Sequence, residues 1–193
     1  METIASNQSW TLELDRKARG LRFLLFDVDG VLTDGRLHVS PDGELFKSFH
    51  VRDGLAIKLA QAGGLEVGIL SARSSEIVER RAAEIGIAEI VQGASDKGTA
   101  LRALLARKQL DAAEVAFMGD DLQDLGALGA AGFSAAPADA TSEVRAVVDY
   151  VTAANGGQGA VRELVERLLV ARGSWPAIVA RLAAGGLPDA GGG

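Results

Sequence analysis

Arg22-Phe23-Leu24-Leu25-Phe26-Asp27-Val28-Asp29-Gly30 is the stretch on which the reading of this chain turns. Residues 22–26 form a short apolar run, which reads as a buried strand, and the Asp-Val-Asp-Gly that follows reads as a turn. Two aspartates spaced two apart on extended backbone point to one side. Working outward, residues 36–50 predict a hairpin, with Ser40-Pro41-Asp42-Gly43 as its turn-forming centre. From Leu55 the pattern becomes helical, then strand (66–70), helix (74–85), strand (89–92), helix (97–108) and strand (115–118). Helix 122–130, strand 132–135, helix 141–147, strand 148–152 and helix 159–171 complete the expected core. Short strands alternating with helices predict an α/β fold, a doubly wound, mostly parallel Rossmann-like sheet with helices on both faces. Such sheets bind ligands beyond the carboxyl ends of their strands.

The composition narrows the chemistry. The chain has 193 residues, a formal net charge of −6, no cysteine and two histidines. Disulfides, thiolate catalysis and cysteine zinc sites are excluded. Any metal is expected to be held by oxygen, which favours Mg²⁺ or Mn²⁺. The acidic balance and the lack of a basic tract argue against nucleic acid as a partner. The polar start does not resemble a signal peptide, and no apolar run is long enough to span a bilayer, so no membrane association and a cytoplasmic location are expected. Residues 1–20 read as a peripheral segment, 21–172 as one domain, and the Gly-rich 173–193 as a flexible tail.

Chemistry-bearing residues collect at strand ends. Asp27 and Asp29 follow the first strand, and Asp120-Asp121 follow Val115-Ala116-Phe117-Met118, with Asp124 one helical turn on. Carboxylates converging in a crevice repel one another and are tolerated mainly when a divalent cation neutralises them. For Asp121 and Asp124, a role as turn residue or helix N-cap competes with that reading. Ser71 ends strand 66–70, Arg73 comes just after it, and Lys97 opens helix 97–108, where ammonium and helix dipole both favour an anion. Taken singly, Ser71 reads as an N-cap and the two cations as surface charges. Taken in order, they make a cation-lined phosphate cradle beside a metal site.

Asp27-Val28-Asp29-Gly30-Val31-Leu32-Thr33-Asp34-Gly35, then Ser71, Lys97 and Gly119-Asp120-Asp121, resemble the four motifs of the haloacid dehalogenase-like phosphatases over residues 20–172. The hairpin, His50-Val51-Arg52-Asp53-Gly54, Gln92-Gly93 with Asp96-Lys97, and Tyr150-Val151-Thr152 with Gly156-Gly157 and Gly159-Ala160-Val161-Arg162-Glu163 are similar to the 3-deoxy-D-manno-octulosonate 8-phosphate phosphatase family. That resemblance implies a magnesium-dependent phosphomonoesterase in lipopolysaccharide precursor synthesis. It implies no cap domain, and a homotetramer whose hairpins pack together, with Phe46 and Phe49 as candidate contacts. It implies Asp27 as nucleophile, Asp29 as general acid and base, and Ser71 and Lys97 on the phosphate. Metal would be held by Asp27, the Asp29 carbonyl and Asp120. A sugar-acid phosphate would be contacted by Asp29, His50, Val51, Arg52, Asp53, Gly54, Lys58, Arg73, Arg81 and Lys97. The chain departs from the family pattern with Ala72 in place of glycine, Lys58 where arginine is common and Gln158 after the Gly-Gly pair. Alternatives are a phosphatase of nine-carbon keto-sugar acid phosphates, and a receiver-type or silent scaffold domain. The DxDG-first, GDD-late order and the presence of both Asp27 and Asp29 favour the hydrolase.

Overall fold

The computed structural model describes residues 10–186. The elements run α1 (Leu12–Gly20), β1 (Phe23–Phe26), β2 (His38–Ser40), β3 (Gly43–Phe46), α2 (Val51–Ala62), β4 (Glu66–Leu70), α3 (Glu76–Glu84) and β5 (Glu89–Val91). They continue α4 (Lys97–Lys108), β6 (Val115–Met118), α5 (Leu125–Leu128), β7 (Phe133–Ala136), α6 (Ser142–Arg145), β8 (Tyr150–Val151), α7 (Ala160–Ala171) and α8 (Trp175–Ala183). Short 3₁₀ turns at Ala112–Glu114 and Leu122–Asp124 precede β6 and α5.

The six strands β5-β4-β1-β6-β7-β8 form one parallel sheet. The chain winds from β1 to β4 and β5 on one side, then returns to β6, β7 and β8 on the other. The order therefore reverses at β1, and the crevice for a ligand opens beyond Phe26. Along β1, Leu24 and Phe26 face one apolar layer, and Phe23 and Leu25 the other. All four are buried, as a strand covered on both faces requires. Each such side chain contributes roughly 1.5–3 kcal/mol on burial. The hairpin β2–β3 is a separate antiparallel pair, and no cap domain interrupts the chain between β1 and α2.

Strands 66–70 and 115–118 and helix 97–108 fall where the sequence places them. Helix α2 instead begins at Val51, four residues before the expected Leu55. Gly54 disguised it, because glycine is a poor helix former. A Cβ there would lie 2.3 Å from Arg81 Nη2, so glycine serves the α2–α3 contact. The expected helix 122–130 splits into a 3₁₀ turn and a four-residue helix. Asp124 turns its carboxylate back onto the N–H groups of Asp120 and Asp121 at 3.0 and 3.1 Å, which tightens this turn.

Both ends depart from expectation. The segment 1–20 was expected to be peripheral, yet α1 packs on α7 and buries Leu14 and Ala18. Trp10 meets Tyr150 edge-on at 5.1 Å and donates to Asp15 at 2.7 Å. Within 173–193, expected to be flexible, α8 buries Ile178, and Arg162 lies over the Trp175 ring at 5.1 Å. In each case apolar residues at helical spacing find a complementary face. Residues 1–9 and 187–193 lie outside the described residues.

Candidate active site

Three strand ends converge. β1 delivers Asp27, whose N–H continues the ladder to Met118 O at 3.0 Å. The chain then turns tightly, with the N–H groups of Val31, Leu32 and Thr33 all donating to Val28 O. β6 delivers Gly119-Asp120-Asp121, and β4 delivers Ser71. Gly30 allows the first two ends to meet. Its φ is +89°, and a Cβ would lie 2.0 Å from Asp120 Oδ2. The loop is backed by Gly157, whose N–H donates to Val31 O at 2.9 Å.

One carboxylate oxygen from each of Asp27, Asp120 and Asp124 lies within 4.8 Å of the others. Asp27 and Asp124 are buried, and Asp120 partly so. Lys97, at the N-terminus of α4, reaches Asp27 Oδ2 at 2.8 Å and Asp124 Oδ1 at 2.5 Å. Burial, then the Asp124 carboxylate, pushes Asp27 up to about 7 against the pull of Lys97. Burial, then Asp27, Asp124 and Asp121, pushes Asp120 up to about 7 as well. Burial disfavours the Lys97 ammonium, but Asp27 and Asp124 outweigh it and hold its pKa above the usual lysine value.

These residues fit a divalent cation. The donors are all oxygen, and Asp120 Oδ1 is buried without a hydrogen-bond partner. One ammonium cannot neutralise three converging carboxylates. Asp124 already has both oxygens engaged, by Lys97 and by two backbone N–H groups, so it braces the loop and Lys97. Asp27 and Asp120 remain the better ligands. Asp121 takes the cap role considered for it, accepting from Leu122 N at 2.7 Å.

Ser71 is buried, and its Oγ accepts from Arg73 N at 3.3 Å, which leaves the hydroxyl proton free to donate. The Asp29 carboxylate is not among the three clustered acids and has cationic partners of its own. Its Oδ1 meets Lys47 Nζ at 2.5 Å, and its Oδ2 lies 3.4 Å from Arg73 Nε. Asp27, Asp29, Ser71, Arg73, Lys97 and Asp120 thus sit at one rim of the sheet.

The expected sugar contacts are less unified. Arg81 lies against Gly54, pairs with Glu84 at 2.8 Å and sits 5.7 Å over the half-buried Phe49 ring. Asp53, expected on substrate, is instead buried and accepts from Gly159 N at 3.1 Å and Arg162 N at 2.8 Å. It ties the start of α7 to α2, because the first N–H groups of a helix need acceptors. Burial holds its carboxyl above the ordinary aspartate range despite those bonds. His50 is the α2 N-cap, and Val51 and Arg52 are exposed beside it. Lys58 lies two turns down α2, about 10 Å along the axis from Val51. Phe46 is half-exposed and stacks on His38 at 4.0 Å.

Glu44 and Lys47 were missed as site residues. Both come from the hairpin, and their places depend on how it folds back over the sheet, which no local pattern records. The sequence sets Asp124 one helical turn from Asp120, but its contact with Lys97 depends on how α4 packs beside that loop.

A haloacid dehalogenase-like hydrolase family model matches residues 70–164. The 3-deoxy-D-manno-octulosonate 8-phosphate phosphatase KdsC of Haemophilus influenzae is 44% identical over 160 residues, 83% of this chain and 89% of that protein. The chain belongs to the haloacid dehalogenase-like hydrolases.

Solved phosphatase structures share the fold over most of the chain. The 3-deoxy-D-manno-octulosonate 8-phosphate phosphatase of Moraxella catarrhalis, in complex with magnesium, phosphate and KDO, superposes with a TM-score of 0.85 at 39% identity, over 88% of this chain and 98% of that one. The cobalt-bound Haemophilus influenzae phosphatase gives 0.80 at 44% identity, over 82% and 93%. With these relatives, this chain is a capless hydrolase of phosphoric monoesters. Among the described residues no helix is long and apolar enough to cross a membrane.

Proposed function

We propose that this chain hydrolyses 3-deoxy-D-manno-octulosonate 8-phosphate to the free sugar acid and inorganic phosphate, with Mg²⁺ as cofactor. The observation that carries this reading is Lys97 wedged between Asp27 and Asp124 beside the unpartnered Asp120 oxygen. The substrates and ions named for the Haemophilus and Moraxella proteins support the sugar and the metal.

Asp27, Asp120 and the main-chain carbonyl of Asp29 would hold the ion. Bound there, it neutralises charge, so that an anionic carboxylate can meet an anionic phosphate. The Asp27 carboxylate attacks phosphorus, and the bond from phosphorus to the sugar oxygen breaks. Asp29 gives that oxygen a proton. A water oxygen then attacks the aspartyl phosphate, and Asp29 takes back a proton as the phosphorus–Asp27 bond breaks. The products are free carboxylate and inorganic phosphate. Lys97 and the Ser71 hydroxyl bind phosphoryl oxygens as charge develops on them. Arg73, half-exposed beside Asp29, would bind a second anion on the substrate, a sugar-acid carboxylate.

The reading extends to the assembly and its setting. Leu37, Val39, Leu45 and Phe46 are exposed on or beside the hairpin, and packing hairpins together in a homotetramer would cover apolar side chains of this kind. The setting is cytoplasmic synthesis of a lipopolysaccharide precursor.

A phosphate-release screen tests the reaction, using eight- and nine-carbon keto-sugar acid phosphates with Mg²⁺ or with chelator. Magnesium-dependent turnover preferring the eight-carbon substrate is expected, together with total loss in a folded Asp27→Asn variant. A preference for the nine-carbon compound overturns the sugar assignment. Near-normal activity of Asp27→Asn overturns the nucleophile.

A further inference from the structure

Lys47 stands just beyond β3, on the stem of a hairpin whose Val39, Leu45 and Phe46 are exposed, yet its own side chain is only 2% exposed. Its ammonium lies 2.5 Å from Asp29 Oδ1 and 2.9 Å from Glu44 Oε1. Glu44 is held in turn, with Oε2 accepting from Ser75 Oγ at 2.5 Å and Oε1 lying 3.8 Å from Arg73 Nη2. The stem is thus pinned to the loop that carries Ser71 and Arg73, and Lys47 is the link from that clamp to Asp29. Burying an ammonium forfeits its hydration and the freedom of a four-carbon stem, so its two short carboxylate contacts must outweigh both losses.

The consequence falls on the two oxygens of Asp29. Oδ1 is occupied by Lys47. Oδ2 is buried without a hydrogen-bond partner, with Arg73 Nε 3.4 Å away. A carboxylate on two free torsions cannot by itself give its oxygens separate roles, whereas a fixed cation on one of them can.

We infer that Lys47 is a positioning residue for the reaction proposed above: by holding Oδ1 it presents Oδ2 as the atom that passes a proton to the leaving sugar oxygen and recovers one from the attacking water. The inference rests on that proposed phosphatase reading. Lys47 itself transfers no proton and touches no reacting atom. It holds the Asp29 carboxylate outside the Asp27–Asp120–Asp124 cluster, where a further carboxylate would add to the charge repulsion. Catalysis is sensitive to an ångström of misplacement in such a group.

A double-mutant cycle on the full chain with Mg²⁺ tests this, using Lys47→Met, Asp29→Asn and their combination, assayed by phosphate release. Lys47→Met is expected to lower kcat by about 30-fold or more, with KM held within about twofold. In the Asp29→Asn background the same change is expected to move kcat by less than about twofold, because the residue it positions is gone. Lys47→Arg, which keeps a cation at Oδ1, is expected to recover much of the lost kcat. Additive losses in the cycle, a rise in KM at unchanged kcat, or an arginine variant no better than methionine each overturn the inference. Should Lys47→Met fail to fold, Lys47→Ala, which also removes the contact with Asp29, carries the same cycle. A wild-type chain that releases no phosphate from any sugar phosphate overturns the phosphatase reading itself. An active wild type with additive losses overturns only the role of Lys47.

Discussion

Lys97 Nζ lies 2.8 Å from Asp27 Oδ2, and both side chains are almost completely buried. An ion pair so deep is stable only while each charge has its partner. Here the ammonium also serves Asp124, so one cation holds the proposed nucleophile to the loop that carries Asp120.

Replacing Lys97 with methionine keeps most of the side-chain volume and removes the charge. Two buried carboxylates then lose their cation, at a cost of roughly 3–5 kcal/mol where both stay ionised. Turnover is expected to fall by about 100-fold or more, because a phosphoryl oxygen loses a charged donor. Chemical denaturation in chelator and in Mg²⁺ reads the first effect and phosphate release the second. A variant as stable and as active as wild type contradicts both.

The raised pKa values of Asp27 and Asp120, each about 7, set a pH dependence for the metal-free protein. Each group binds its proton more tightly folded than unfolded, where aspartate titrates near 3.9. The stability they contribute is full below the unfolded pKa and is lost as pH rises through about 7. Magnesium binds the ionised carboxylates, so its stabilising effect grows over the same window. The gap in Tm between Mg²⁺ and chelator is expected to widen from pH ~5 to pH ~8. A gap that is constant or shrinks would count against a cation at these carboxylates.

Gly30→Ala tests how β1 and β6 meet. The new Cβ would strike the Asp120 carboxylate at 2.0 Å, on backbone with a φ of +89°. Asp120 must move, so divalent-ion affinity is expected to drop about tenfold or more, as a displaced ligand predicts. Titration calorimetry with Mg²⁺ measures it directly. Unchanged affinity would show that Asp120 is not a ligand.

Asp53→Ala separates a structural aspartate from a substrate contact. Removing its carboxylate leaves the N–H groups of Gly159 and Arg162 without their acceptor, a loss of roughly 1–3 kcal/mol. Denaturation midpoints are expected to fall while KM for the sugar phosphate changes little. A stable variant with a much raised KM would restore Asp53 to the substrate.

Much of this molecule is legible locally. Apolar runs closed by Asp or Ser mark strands whose ends carry chemistry, because a parallel strand must be apolar on both faces and its end is where polar groups reach solvent. The run 22–30 announces β1, the turn and the aspartate pair, and the helical pattern opening at Lys97 announces α4. What could not be read is where one segment lies on another. The helical pattern reads only from Leu55 because the reason for Gly54 is Arg81, from a different helix.

The amino-acid order alone determined the alternation of strands and helices, the parallel sheet and the acids, serine and lysine of its rim. These follow from near neighbours along the chain and from the periodicity of backbone geometry. Only the tertiary structure decided that Lys47 would close on Asp29, that Asp124 would brace Lys97, and that Asp53 would cap a helix more than a hundred residues away. Those contacts depend on distant segments packing at one orientation. Side-chain volume and buried charge enforce that orientation, and no local pattern encodes it.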